Sequence, residues 1–288
     1  MRILRRLAAI PVLVAVAAGA VSCGEDHPAD VVRIGVNDVA QPHWDVYQRK
    51  AAEQGITVEY VNFADYNQPN PALAQKRVDL NKFQHVRYLA NYNVANNDTL
   101  VPIGATEIFP LTLYSKKHSD IAEIPQGGTI TLSNNPAQQV RPLLGLAAAG
   151  LIVVKGGASW DSKIEDVDTA ASKVTLTALD PTLTASSLDS VDAAFVDDTF
   201  AGPAGLTEDQ VIFTDDPERP ELKQYINVFA AREADKDNPT YLKLAQLYHD
   251  PEVVAAVQAE TGYAGIFKTN DAADLQATLR ELEAKFRE

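Results

Sequence analysis

Apolar and polar positions change period several times along the chain, and the changes mark out alternating strands and helices. VVRIGV (31–36) reads as a strand, and the segment from Trp44 to Gln54 as a helix stopped by Gly55. ITVEYVNF (56–63) alternates with period two and predicts a second strand. A helix from Asn70 to about Lys76, the short strand VDLNKF and a helix carrying Tyr88 follow. This βαβαβ run predicts a parallel sheet covered on both faces. LVPIGATEIFPLTLYS (100–115) is extended, because Pro102 and Pro110 exclude helix interiors, and the polar KKHSDIAEIPQGG after it reads as a crossover.

A second alternating unit contains TITLS (129–133), a helix from Pro136 to Ala149, KVTLTAL (173–179), a short helix near Ser187, and AAFVD (193–197). QYINVFAARE (224–233) is extended and placed to return to the first unit. Helices from Pro239 to Tyr248 and from Pro251 to Glu260 precede an amphipathic tail, DLQATLRELEAKFRE. The pattern predicts an α/β chain of two parallel-sheet lobes, joined by two extended crossovers, with a cleft between them. Lobe 1 is 31–115 plus 216–288, and lobe 2 is 116–215. Ligands of open parallel sheets sit beyond the carboxyl ends of the strands, where Phe83, Asn134 and Asp197 fall. The run NKFQHVRYLANY (81–92) puts Phe83, Gln84 and His85 together at one such exit. A core rarely wants Gln and His there and a surface rarely wants Phe, whereas a binding cleft wants both.

The first 22 residues stand apart from this pattern. Arg2, Arg5 and Arg6 precede an apolar stretch broken by Pro11, which is the form of a secretory signal. Cys23 is the only cysteine in the 288 residues, so it has no internal partner. Ala20 and Ser22 before it and GEDHPAD after it suit a lipobox. The expectation is a lipid on Cys23, a tether over 23–30, and an exported protein anchored to the membrane from the extracytoplasmic side. The chain carries 25 basic against 39 acidic residues, a formal net charge of −14, and losing the leader removes three arginines and no acid. That balance argues against a nucleic-acid partner. At 46% apolar residues the chain has the means to bury a proper core.

Enzyme signatures are missing: there is no G-x-S-x-G, no phosphate loop and no G-x-G-x-x-G. The five histidines show no paired spacing and a single cysteine excludes a thiolate zinc site, so neither a metal nor a cofactor is expected. Asp197-Asp198 and Asp215-Asp216 are acidic pairs whose ordinary reading is turn and cap residues.

The order YNQPNPAL, DLNKFQHVRYL, IFPLTLYSKKH and TITLSNNPAQQVRPLLGLAAAGLI resembles the MetQ/NlpA family of methionine-binding lipoproteins, the substrate-binding subunits of ABC importers. The resemblance continues through SLDSVDAAFVDDTFAGPAGL and YINVFAAREADKDNP. It implies a two-lobed periplasmic-binding-protein-like fold of type II, an amino-acid ligand, permease subunits as partners, and no enzymatic activity. It implies Arg141 as the holder of the ligand carboxylate, for which a planar guanidinium fork is suited. Asn70, Phe83, His85, Phe109 and Tyr114 match a first-lobe wall around the methionine side chain, where rings make favourable sulfur contacts. Tyr88 and Gln84 stand beside His85 as wall or as support, and Asn227 matches an asparagine on the returning strand.

Three positions depart from the family pattern. Asp197 stands where the family usually has Asn near the ligand amino group, Phe109 where Tyr is usual, and Val140 where Gly is common. Methionine or a close derivative is the expected ligand. The alternatives are a different amino-acid-like or cationic solute, or an adhesin or scaffold lipoprotein that has lost its ligand.

Overall fold

The structure, a computed structural model, describes residues 31–260 and 265–288. The expected leader, and Cys23 with its tether, lie outside the described residues. In chain order the regular elements begin with β1 (Val31–Val36), α1 (His43–Glu53), β2 (Thr57–Asn62), α2 (Pro69–Ala74), β3 (Leu80–His85) and α3 (Val86–Asn96). Next come β4 (Leu100–Ala105), β5 (Glu107–Ile108), β6 (Thr112–Tyr114), β7 (Gly128–Ser133) and α4 (Pro136–Ala148). β8 (Val174–Leu179), α5 (Pro181–Ser187), β9 (Ala193–Phe195), α6 (Asp198–Ala201) and β10 (Val211–Thr214) complete the second unit. The chain then returns through β11 (Asn227–Arg232), α7 (Pro239–Leu247), α8 (Pro251–Glu260), β12 (Ile266–Phe267) and α9 (Ala272–Phe286).

Local chemistry sets several helix starts. Asn135-Pro136, Asp180-Pro181, Asn238-Pro239 and Asp250-Pro251 each begin a helix in the same way. The Asx side chain accepts a backbone N–H two residues on, at 2.9, 3.0, 2.9 and 2.9 Å. Proline at the first helical position gives up an N–H that would have had no partner there.

Two five-stranded sheets form, in the orders β2-β1-β3-β11-β4 and β8-β7-β9-β6-β10. β1 runs parallel to β2 and β3, and β7 to β8 and β9, as the alternation predicts. Antiparallel strands extend both: β11 lies between β3 and β4, and β6 and β10 continue from β9. Side chains alternate along β11 between two cores. Phe229 and Ala231 join Trp44, Tyr47 and Tyr248 on one face, while Val228 and Ala230 join Leu73, Leu89 and Leu279 on the other. The second lobe has its own core around Leu113, Ile130, Leu143 and Phe195.

The sheet pairing corrects one boundary. β6 was expected in lobe 1, whose first segment was to end at residue 115, but it pairs with β9 and β10 in the second sheet. The chain therefore crosses before Thr112, and KKHSDIAEIPQGG lies within lobe 2 rather than between the lobes. A three-residue strand beside Pro110 gives no periodic signal of the sheet it will join. The second crossover begins after β10, at Asp215.

Asp215 fastens the two crossovers together. Its Oδ1 accepts the Leu111 N–H at 2.8 Å, and its own N–H donates to the Leu111 carbonyl at 3.3 Å. The Arg141 guanidinium on α4 grips the same carboxylate through Nε (2.5 Å) and Nη2 (2.6 Å), and Nη2 also reaches the Phe109 carbonyl at 3.0 Å. Asp215→Ala leaves a nearly buried guanidinium without its counter-ion, which costs roughly 3–5 kcal/mol. At about 2–4 °C per kcal/mol for a chain of this size, the expected fall in melting temperature is about 6–20 °C. The double variant Arg141→Met with Asp215→Leu, which removes both charges, is expected to recover much of it. A single variant that melts with the wild type would show that this clasp does not hold the crossovers.

Candidate functional site

A cavity of about 520 Å³ opens between the lobes, where the strand ends of both sheets converge. Phe83, His85, Tyr88 and Asn227 line it from lobe 1, Phe109 from the first crossover, and Tyr114, Arg141 and Asp197 from lobe 2. Eight of the nine expected positions thus face one space. Asn70 does not line it. Its side-chain amide is fully paired with that of Gln84, by two bonds of 2.7 Å, and accepts from Asn81 at 3.2 Å. Asn70 therefore stands behind the wall and fixes Gln84, which does line the cavity. Tyr114 is also corrected: it belongs to the second-lobe sheet and faces the cleft from the opposite side.

The backbone explains how β3 presents its residues. The pairing of β11 with β3 shifts between Val228 opposite Gln84 and Phe229 opposite Lys82, which leaves Phe83 as the extra residue. Such a bulge re-aims a side chain at the edge of a site. His85 closes β3 and caps α3, its Nδ1 accepting the Tyr88 N–H at 3.0 Å. Burial, then the charges of Arg87 and Arg141, lower its pKa to about 3. The ring is therefore neutral at pH 7, and because Nδ1 accepts, the proton sits on Nε2 as a donor. Tyr88 is wall and support together, since its hydroxyl also donates to the Tyr66 carbonyl at 2.9 Å.

Tyr66 and Tyr225 line the cavity without having been singled out in the sequence. Tyr66 meets Phe200 across the cleft at 5.2 Å between centroids and Phe83 at 6.1 Å, while Tyr225 meets His85 edge-on at 4.9 Å. The apolar side of the cavity is thus a ring of aromatic groups drawn from both lobes and the second crossover.

On the polar side, Arg141 is 9% exposed, and its Nε and Nη2 are taken by Asp215 and the Phe109 carbonyl. Only Nη1 has no protein acceptor among the described residues. Asp215, read from the sequence as a turn residue, is the counter-ion of Arg141, while Asp216 does cap a turn through the Glu218 N–H at 2.9 Å. Asp197 accepts from Gln138 Nε2 at 2.6 Å, and burial raises its pKa. The adjacent Asp198 is pushed up to about 7 by burial, then by Asp197 and Glu107, with Arg141 acting in the opposite direction. Both carboxylates are half-exposed, but the surface they expose faces the cavity, which explains why they are poorly solvated.

Lobe 1 adds charged groups that sequence reasoning passed over. Lys82 Nζ pairs with Glu107 Oε1 at 2.8 Å and lies 5.0 Å from the centre of the Tyr248 ring. His43 Nδ1 lies 2.6 Å from Glu260 Oε2, and burial followed by the Lys82 charge lowers its pKa to about 3. A lysine inside DLNKF and a glutamate inside ATEIF, both in otherwise buried strands, were the signals available. No group of three or more His, Cys, Asp or Glu among the described residues is arranged to hold a metal ion.

The raised pKa of Asp198 fixes a pH dependence of stability. Between about pH 4 and pH 7 the unfolded chain loses this proton while the folded protein keeps it, so folding is progressively disfavoured as pH rises through that window. Asp198→Asn abolishes the effect. The ligand-free variant is expected to melt above wild type by a margin that widens from pH 5 to pH 8. Equal margins at both pH values would contradict the assignment.

Residues 32–269 match the NlpA lipoprotein family. The D-methionine-binding lipoprotein MetQ of Escherichia coli K12 is 32% identical over 242 residues, which span 82% of this chain and 88% of that one. Outer membrane lipoprotein 1 of Mannheimia haemolytica is 32% identical over 233 residues, 79% of this chain and 82% of its own. Among solved structures, a nutrient-binding protein from Burkholderia cenocepacia bound to methionine superposes with a TM-score of 0.76 at 31% identity, covering 82% of this chain and 99% of that one. The two-lobed α/β architecture is shared with ABC-transporter substrate-binding proteins. The chain belongs to the NlpA lipoprotein family.

Proposed function

We propose that this protein is an extracytoplasmic lipoprotein that captures a small amino acid or a close derivative in the interlobe cavity and delivers it to an ABC importer. The observation that carries the reading is a single cavity whose walls come from both lobes, with neutral His85 and the amide of Asn227 on one side and Arg141 and Asp197 on the other. A ligand touching both walls binds the closed arrangement preferentially, which is how hinge closure is driven. The aromatic ring drawn from both lobes suits a thioether side chain, which keeps methionine, bound by the Escherichia coli and Burkholderia relatives, as the first ligand to test.

A ligand that binds only the folded protein stabilises it by about 2.7 kcal/mol at a hundredfold excess over Kd. For a chain of this size that corresponds to a rise in melting temperature of roughly 5–11 °C. Native mass spectrometry of protein purified without refolding is expected to show a co-purified small molecule, and thermal melting with the amino acids is expected to identify its class. No mass and no shift with any amino acid would sink the proposal. The membrane anchor is tested separately. Cys23→Ala is expected to leave the membrane fraction or remain unprocessed, and equal membrane retention of variant and wild type would refute lipidation.

A further inference from the structure

The charges that line the cavity do not balance. Two cations face it, Lys82 and Arg141, and each is already matched by a carboxylate, Glu107 and Asp215 respectively. Five more lining acidic side chains, Asp38, Asp197, Asp198, Glu208 and Glu260, have no lysine or arginine partner among the described residues, and burial in the empty cavity favours the protonated forms of Asp197, Asp198 and Glu260. Among the described residues the Glu260 carboxyl meets His43, which is neutral at pH 7. A ligand with one positive and one negative charge would leave this excess unchanged.

Two buried acceptors in the same cavity also lack donors among the described residues. Glu107 is fully buried; Lys82 satisfies its Oε1, and Oε2 has no hydrogen-bond partner. His43 is 3% exposed, and with Nδ1 donating to Glu260 its Nε2 is a bare lone pair, also unpartnered. Buried polar atoms are usually satisfied, and an acceptor left over beside a cavity calls for an N–H or O–H group from the occupant. The rings of Tyr66, Phe83, Tyr88 and Tyr225 line the same space, and the Arg141 guanidinium already lies 5.3 Å from the centre of the Tyr225 ring, an example of the attraction of a cation to such a ring. The metal alternative has no support, since no ligand cluster is formed among the described residues.

We propose that the ligand carries a basic group in addition to its α-amino group, and that this cation is held where Asp197 and Asp198 of lobe 2 face Glu107 of the first crossover. Resting on the reading that the cavity takes an amino acid, this narrows the class to basic amino acids and their derivatives. In the empty cavity Asp197 and Asp198 are charged only at a cost, which burial and their mutual repulsion impose, whereas a cation between them favours their charged forms. Arg141, with its fork on Asp215, offers the α-carboxylate only the Nη1 edge. Binding then depends more on the ammonium groups than on the carboxylate.

The test is calorimetry with L-methionine, L-lysine and L-arginine at about 0.15 M ionic strength, on wild type, Asp197→Asn and Asp198→Asn. The nearly isosteric variants keep the shape of the site, and their melting curves report folding. The expected result is that lysine or arginine binds wild type at least about tenfold tighter than methionine, and that each variant reduces this ratio by about tenfold, the range of a desolvated charge contact. Methionine binding tighter than both basic amino acids, or a ratio unchanged in both variants, overturns the inference and leaves the amino-acid-binding reading standing. Absence of binding by all three overturns both.

Discussion

Asp215 is the point on which the two-lobed arrangement turns. Three donors converge on its two oxygens: the Leu111 N–H, Arg141 Nε and Arg141 Nη2. Taking a carboxylate and a guanidinium out of water costs several kcal/mol per ion, and the cost is recovered only when nearly every donor and lone pair is matched. Here the match is close to complete, because the spare hydrogen of Nη2 goes to the Phe109 carbonyl. One ion pair therefore joins the helix of lobe 2, the outgoing crossover and the returning one.

The same crossovers account for the position of the site. In each sheet the fourth place is filled by the strand that has just arrived from the other side, β11 in the first and β6 in the second. Asn227 is the first residue of β11 and pairs with His85, and the two therefore reach the cleft together. Tyr114 ends β6 opposite Ala194 and is carried into the same space from lobe 2. Neither placement needs a special local conformation. Both follow from strand order, with local register shifts at Phe83 and between Val211 and Phe213 beside Tyr114.

Most of the fold was legible because its signals are local. Asx-Pro pairs start four helices, and period-two runs mark β1, β2, β7 and β8. His85 was legible for the same reason, standing with Phe83 and Gln84 at the exit of a strand, while its cap bond to the Tyr88 N–H was seen only in the structure. What escaped notice depends on partners far along the chain. Asn70 reads as a polar wall residue until Gln84, fourteen positions on, is seen to satisfy it. Asp215 reads as a turn residue until Arg141, 74 positions before it, is found in its grip. The sheet that β6 joins is likewise decided by Phe195 and Val211, not by anything in its three residues.

The clasp that steadies the hinge also changes what the cleft can recognise. A guanidinium with an open fork is a receptor for carboxylate, because two parallel N–H groups meet two oxygens. With Nε and Nη2 committed to Asp215, the fork recognises a protein carboxylate, and an incoming one meets a single nitrogen beside a fixed negative charge. Lys82 is spent in the same way on Glu107. Both groups that would draw an anion into the cavity are thus used to build its frame. In the proposed reading, discrimination falls to the aromatic rings, the N–H of His85, the Asn227 amide, and the carboxyl groups of Asp198 and of Asp197, which already accepts from Gln138. Such a set offers carboxyl groups to donors on the ligand, the His85 N–H and the Asn227 amide to an acceptor, and rings to its apolar part. Arg141, in joining the crossovers through Asp215, and Lys82, in pairing with Glu107, each give the frame a charge that the cleft then lacks.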